Sequence, residues 1–250
     1  MCRYKIYNND CMLQFQQFIK DNIKFDLILT DIPQELTQNK WDIGLDLEEM
    51  WRYLLQLRKD KTTPIILFSN QPYTSKLIMS NLKMFKYMKY WQKDRPSGFL
   101  NAKRQPLRDI EEITIFYEKQ CYYNPIMIKG KPSHSIGRAK DELVCKNNNN
   151  YGNFGRVERE GNLKYPRQLM FYNRPHPPKH PTEKCVDLLK DLILTYSKEN
   201  DTILDFTAGI MSTGVACLET NRNFVGVEIC TKYFEIGKKR LEEKYNEILV

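Results

Sequence analysis

Four short, largely apolar runs, each ending at an acid or a small polar residue, constrain this chain more than any other feature. Phe25-Asp26-Leu27-Ile28-Leu29-Thr30 leads to Asp31, and Pro64-Ile65-Ile66-Leu67-Phe68 leads to Ser69. Thr202-Ile203-Leu204 leads to Asp205-Phe206, and Phe224-Val225-Gly226-Val227 leads to Glu228. Runs of this length without apolar–polar alternation read as strands buried on both faces, and such strands belong to parallel sheets covered by helices. Ile113-Thr114-Ile115-Phe116-Tyr117 reads as a further strand.

The segments between them have helical spacing. Leu45 to Arg58 places Leu47, Met50, Trp51, Leu54 and Leu55 on one stripe behind Asp46, a candidate cap. Cys185 to Tyr196, Thr213 to Thr220 and Lys232 to Tyr245 repeat the pattern. The rhythm predicts an α/β fold with a mostly parallel sheet and helices on both faces, in a single domain over residues 1–250. From about Gln120 to Pro166 the periodicity dissolves into glycines and the tract Asn147-Asn148-Asn149-Asn150. A stretch that long without pattern reads as a functional insertion or a mobile region, residues 120–166, rather than a plain connection.

Composition narrows the class. The 250 residues are 41% hydrophobic and 28% charged, and no apolar run reaches the roughly 18 residues that span a bilayer. The first residues lack the apolar core of a secretory signal. Seven scattered cysteines without a Cys-x-x-Cys pair suit separate thiols in a reducing, intracellular compartment rather than a disulfide framework or a zinc cage, and no metal site is expected. The net charge of +8 favours a polyanionic partner.

Ligands of open α/β sheets bind beyond the carboxyl ends of the strands, so Asp31, Asp205 and Glu228 are the first candidate site residues. Glu228 follows Asp205 by 23 residues, the spacing at which an acid binds ribose hydroxyls in nucleotide folds, and Gly209 supplies a turn between them. Taken alone, the pattern is equally that of two helix caps and a turn.

The order of the pieces adds to this. Leu29-Thr30-Asp31-Ile32-Pro33-Gln34, followed by Asn39-Lys40-Trp41-Asp42, is similar to the Asp-Pro-Pro-Tyr segment of the β-class amino DNA methyltransferases, specifically the small adenine-N6 enzymes of phages and mobile elements. Ser97-Gly98-Phe99-Leu100 through Arg108 resembles a loop of that family, and His180-Pro181-Thr182-Glu183-Lys184 resembles the segment that precedes its cofactor half. Asp205 through Gly214, then Asn221 through Glu228, resembles the half that binds S-adenosylmethionine. The resemblance spans nearly the whole chain. It implies a Rossmann-like methyltransferase fold, S-adenosylmethionine as cofactor, and double-stranded DNA as partner. It also makes 120–166 the candidate target-recognition region.

The family chemistry holds a flipped base by its exocyclic amine between an Asp side chain and a backbone carbonyl, with an aromatic stacked on the ring. The resemblance therefore assigns Asp31, Ile32, Pro33 and Gln34 to catalysis. It assigns Asp205, Phe206, Gly209, Met211, Glu228, His180, Thr182 and Lys184 to the cofactor. Two departures stand out. Gln34 replaces the stacking aromatic, and Met211 replaces a glycine where backbone approaches the ligand, so its side chain is expected to project towards the cofactor. Cys230 stands where the family usually has Asp. Together these changes imply an inactive or strongly impaired member that acts as a DNA-binding or partner subunit, as a homodimer or beside an active paralogue. The alternative is an active adenine-N6 methylase.

Residues 83–108 carry eight cations against one acid, with aromatics between them. Lys93, Arg95, Lys103, Arg104 and Arg108 are the candidate phosphate contacts.

Overall fold

The structure, a computed structural model, describes residues 3–34, 44–130, 162–177 and 183–249. The chain divides into two compact units, residues 1–124 with 167–250, and residues 125–166. In the smaller unit, β6 (Ile128–Lys129) and β7 (Leu163–Lys164) form an antiparallel pair. Residues 131–161, which include the Asn tract, lie outside the described residues.

The larger unit is built on an eight-stranded sheet. Its strands are β1 (Tyr4–Asn8), β2 (Leu27–Asp31), β3 (Ile65–Ser69), β4 (Phe85–Ser97), β5 (Arg108–Phe116), β8 (Leu169–Phe171), β9 (Thr202–Asp205) and β10 (Asn223–Glu228). Their spatial order is β1-β10-β9-β2-β3-β5-β4-β8. From β1 to β3 every pairing is parallel; β5 is antiparallel to both β3 and β4. The expected strand at Ile113 is therefore present but reversed, as the return arm of a long β4–β5 hairpin. A hairpin brings its second strand back beside the first without the helical crossover that parallel neighbours need.

Both faces are covered, as the continuous apolar runs require. Along β2, Leu27 and Leu29 enter one core and Ile28 the other, and β3 divides Ile66 and Phe68 from Ile65 and Leu67 in the same way. On one side pack α1 (Cys11–Lys20), α2 (Leu47–Leu57) and α3 (Tyr73–Ser80), whose inward residues include Phe15, Phe18, Met50, Trp51 and Leu77. On the other pack α4 (Val186–Tyr196), α5 (Ser212–Glu219) and α6 (Thr231–Leu249), through Leu188, Leu192, Val215 and Leu241. Asp46 caps α2 as its sequence suggests, accepting from the N–H of Glu49 at 2.9 Å. Among the described residues no helix is long and apolar enough to cross a membrane.

Strand order fixes where a ligand can sit. The chain leaves β2 towards β3 on one side and leaves β9 towards β10 on the other. The carboxyl ends of β2 and β9 therefore diverge into a crevice, the switch point of a doubly wound sheet.

Candidate active site

Asp31 ends β2 and Asp205 ends β9, so both candidate acids stand at that crevice. The strand ends are tied together by hydroxyls. Thr30 Oγ1 donates to Asp205 Oδ1 at 2.7 Å, and Thr207 Oγ1 donates to the carbonyl of Asp31 at 2.9 Å. Thr213, in the first turn of α5, donates to the other oxygen of Asp205 at 2.6 Å. Burial nonetheless pushes the Asp205 carboxyl up to about 6, against these hydrogen bonds.

A cavity of about 580 Å³ opens over these ends, within the size range of small-molecule sites. Asp31, Ile32, Pro33 and Gln34 form one part of its wall; Phe206 to Ile210 and Glu228 form another. Glu228 ends β10 and accepts the N–H groups of Gly209 and Cys230, each at 2.7 Å. Gly209 has φ +52° and nothing within 4 Å of where a Cβ would stand, so the requirement at this turn is its backbone conformation and not space.

Met211 overturns an expectation. Ile210 and Ser212 line the cavity, but the residue between them does not. Met211 is fully buried in the hydrophobic core, at φ 61° and ψ 35° in the left-handed region. Its side chain fills space left by two glycines. A Cβ at Gly237 would stand 2.4 Å from Met211 Cγ, and one at Gly226 would stand 2.9 Å from its sulfur. Methionine replaces the glycine without entering the ligand space, because the left-handed backbone turns its side chain towards β10 and α6.

The other departure is real in the geometry. Gln34 makes polar contacts where the resemblance calls for an aromatic face: its Oε1 accepts the backbone N–H of Asn70 at 2.8 Å, beyond the end of β3. Ile32 is buried, and its carbonyl belongs to the same strand end as Asp31.

The largest surprise concerns Lys184. Expected beside the cofactor, it lines the cavity but places its ammonium on the Asp31 carboxylate, 3.4 Å from Glu111 Oε2 and over the ring of Phe68. Glu111, on β5, is paired in turn with Lys93 of β4. The result is a ladder of alternating charge, Asp31–Lys184–Glu111–Lys93. Burial raises the Asp31 carboxyl from its ordinary value, with Lys184 opposing it and Glu111 adding to it. Glu111 is also penalised by burial, but Lys184 and Lys93 hold it below its ordinary value. Lys184 is raised by its two acids in spite of burial.

This arrangement corrects the assignment of Lys93 as a phosphate contact, because its side chain is only 11% exposed and is committed to Glu111. Arg95 leans on Asp94 at 2.9 Å with its side chain half exposed, while Lys103, Arg104 and Arg108 are exposed at the hairpin tip. His180 and Thr182 lie outside the described residues. Glu111 was missed in the sequence. The available signal was a pair of acids, Glu111-Glu112, directly before the apolar run Ile113–Phe116 and after a basic loop.

Comparison with known proteins gives the family and the fold. The N6_N4_Mtase family model, described as DNA methylase, matches residues 25–239. The chain belongs to the N6_N4_Mtase family of DNA methylases. Among curated relatives, the DNA adenine methyltransferase YhdJ of Escherichia coli (strain K12) is 41% identical over 63 residues, 25% of this chain and 21% of its own length. The type II methyltransferase M2.DpnII of Streptococcus pneumoniae is 44% identical over 64 residues, 26% of this chain and 24% of its own length. The chain thus spans about a quarter of the length of these curated relatives. Among solved structures, the M1.HpyAVI–SAM complex superposes with a TM-score of 0.66 at 24% identity, covering 95% of this chain and 100% of that one. The cytosine-N4-specific PvuII DNA methyltransferase gives 0.60 at 12% identity, covering 100% and 93%. These likenesses show the fold, a methyltransferase α/β sheet.

Proposed function

We propose that this methylase binds S-adenosylmethionine in the cavity at the β2–β9 crevice and methylates the exocyclic amine of a base in double-stranded DNA. Adenine N6 is the favoured position, by analogy with the named activity of YhdJ. The observation that carries the reading is the direction of Met211. With its side chain turned into the core, the cavity between Asp31 and Glu228 stays open, and the main sequence argument against cofactor binding falls away.

The residues present suit that cofactor. Glu228, anchored by two backbone N–H groups, suits a pair of ribose hydroxyls, and the open backbone at Gly209 allows close approach. Asp205, Phe206 and Ile210 complete that wall. The cofactor supplies an electrophilic methyl group on a sulfonium. The chain's own contribution falls to Asp31 and the carbonyl of Ile32, which accept the two amine hydrogens of a flipped base and free its lone pair. Lys184 opposes the effect of burial on Asp31 and so favours the ionised form, the stronger acceptor. Gln34 offers polar atoms where stacking would hold the base, so the enzyme is slow rather than inert. Base–aromatic stacking contributes roughly 1–3 kcal/mol.

A second reading, a non-catalytic DNA-binding subunit that pairs with its own copy or with an active paralogue, is favoured by Gln34 and its bond to Asn70. Calorimetric titration of S-adenosylmethionine, followed by transfer of a labelled methyl group to mixed-sequence duplex DNA, separates the two. Micromolar binding with slow transfer is expected. Duplex binding without cofactor binding would establish the subunit reading instead.

A further inference from the structure

The β4–β5 hairpin ends in an apolar tip that belongs to neither core among the described residues. Phe99 is 81% exposed and Leu100 98% exposed, the extreme values among the large hydrophobic residues described. The tip is not slack chain. It turns through Gly98 at φ +88° into a short 3-10 helix (Phe99–Asn101). Bonds from the N–H groups of Asn101 to Gly98, Ala102 to Phe99 and Arg104 to Asn101 close it, at 2.8–3.0 Å. Residues 95–108 contain Arg95, Lys103, Arg104 and Arg108 and no acid.

Topology puts this tip on the side where chemistry is done. β5 is antiparallel to β3, and Ser69, the last residue of β3, pairs with Glu112. Residues before Glu112 therefore continue past the carboxyl edge of the sheet, where Asp31, Asp205 and Glu228 stand. Glu111 lines the cavity, and Arg108 follows three residues out, about 10 Å at strand spacing.

We propose that the hairpin tip is a duplex-opening wedge. Phe99 and Leu100 enter the base stack of DNA while Arg95, Lys103, Arg104 and Arg108 hold the flanking phosphates. The proposal rests on DNA being the substrate and adds how the duplex is opened beside the site. Apolar side chains are what proteins insert between base steps to unstack them, and a base must leave the stack before its amine can reach Asp31. An exposed apolar pair on a loop that also carries four cations matches the two parts of a duplex, apolar base faces and phosphates. It also supplies, on the duplex side, stacking contact that Gln34 does not supply in the pocket.

The test uses the full chain and relaxed closed-circular plasmid treated with a relaxing topoisomerase, which reads unwinding without knowledge of a target sequence. Wild-type protein is expected to shift the linking number. Phe99→Ala with Leu100→Ala should abolish that shift and weaken duplex binding by about tenfold, with an unchanged salt slope. Lys103→Ala with Arg104→Ala and Arg108→Ala should lower the salt slope by about one per cation removed. S-adenosylmethionine binding, unchanged in both variants, shows that they remain folded. Wild-type binding without any linking-number change, or an apolar variant that still unwinds, overturns the wedge. So does loss of a dimer on sedimentation of the apolar variant, which would assign the pair to self-association. Failure of wild type to bind any duplex would remove the DNA reading itself.

Discussion

Gly237 of α6 leaves the space that Met211 Cγ occupies: a Cβ built on Gly237 would stand 2.4 Å from that carbon and 3.0 Å from the backbone carbon of Ile210. The two positions are 26 residues apart and act as one packing unit. Gly237→Ala is accordingly expected to destabilise the fold by about 1–3 kcal/mol, the usual cost of overpacking a filled core. Removing the obstructing side chain with Met211→Gly in the same protein should recover much of that loss, a coupling that a double-mutant cycle in urea measures directly. Met211→Gly alone should cost about 2–4 kcal/mol through the void it leaves, offset in part by relief of the left-handed backbone. Its affinity for S-adenosylmethionine should not rise. A large gain in cofactor affinity on Met211→Gly would mean that the side chain does reach the ligand space.

That pairing also shows what could be read from the sequence and what could not. Phe25–Thr30, Ile65–Phe68 and the runs before Asp205 and Glu228 were legible because a strand covered on both faces must be apolar throughout, and its end then marks the ligand edge. β4 was not legible as a strand. Its buried Lys89 is neutralised by Asp191, 102 residues along the chain, and its half-buried Lys93 by Glu111 of the neighbouring strand. The direction of Met211 was equally hidden, since sequence spacing gives no sign that Gly237 and Gly226 come together around it. Lys184 and Asp31 are 153 residues apart, so their pairing is a fact of strand order and not of motif.

Lys184 joins two acids, and its removal should be read through Asp31. In Lys184→Met the nearest opposite charge is gone while Glu111 remains, so the Asp31 carboxyl should rise further. The ionised form is the stronger acceptor for an amine hydrogen, and the protonated form adds a competing O–H donor. The acid limb of kcat/KM for methyl transfer should therefore move to higher pH, and activity should recover as the pH is raised. Lys184→Arg should hold the limb near its original place. A weakened S-adenosylmethionine Kd with no movement of the acid limb would return Lys184 to the cofactor and remove it from Asp31.

Gln34 is the position where activity can be gained. Gln34→Tyr gives up the bond to the Asn70 N–H and introduces a face for the flipped base. At roughly 1–3 kcal/mol for one base–aromatic contact, single-turnover methyl transfer should quicken by about one to two orders of magnitude. Cofactor affinity should change little, because Gln34 belongs to the Asp31 side of the cavity and Glu228 to the other. Transfer that stays at the wild-type rate would place the slow step elsewhere in the site.

Asp205 contributes its own pH dependence to the stability of the fold. Burial pushes its carboxyl up to about 6, against the hydroxyls of Thr213 and Thr30 and the N–H of Thr207. An acid raised in the folded state favours folding where it is protonated. Its contribution is complete below the unfolded value of about 4 and is lost as the pH climbs through about 6. A shift of about two units corresponds to roughly 3 kcal/mol. Asp205→Asn keeps an acceptor for one threonine and has no proton to lose, so it lacks this slope. The difference in unfolding free energy, Asn variant minus wild type, should grow in favour of the variant between about pH 4 and 7 and then level off. Urea unfolding of both proteins across that window measures it. A difference that stays flat would show that Asp205 is ionised throughout, held by its three donors strongly enough to cancel the cost of burial.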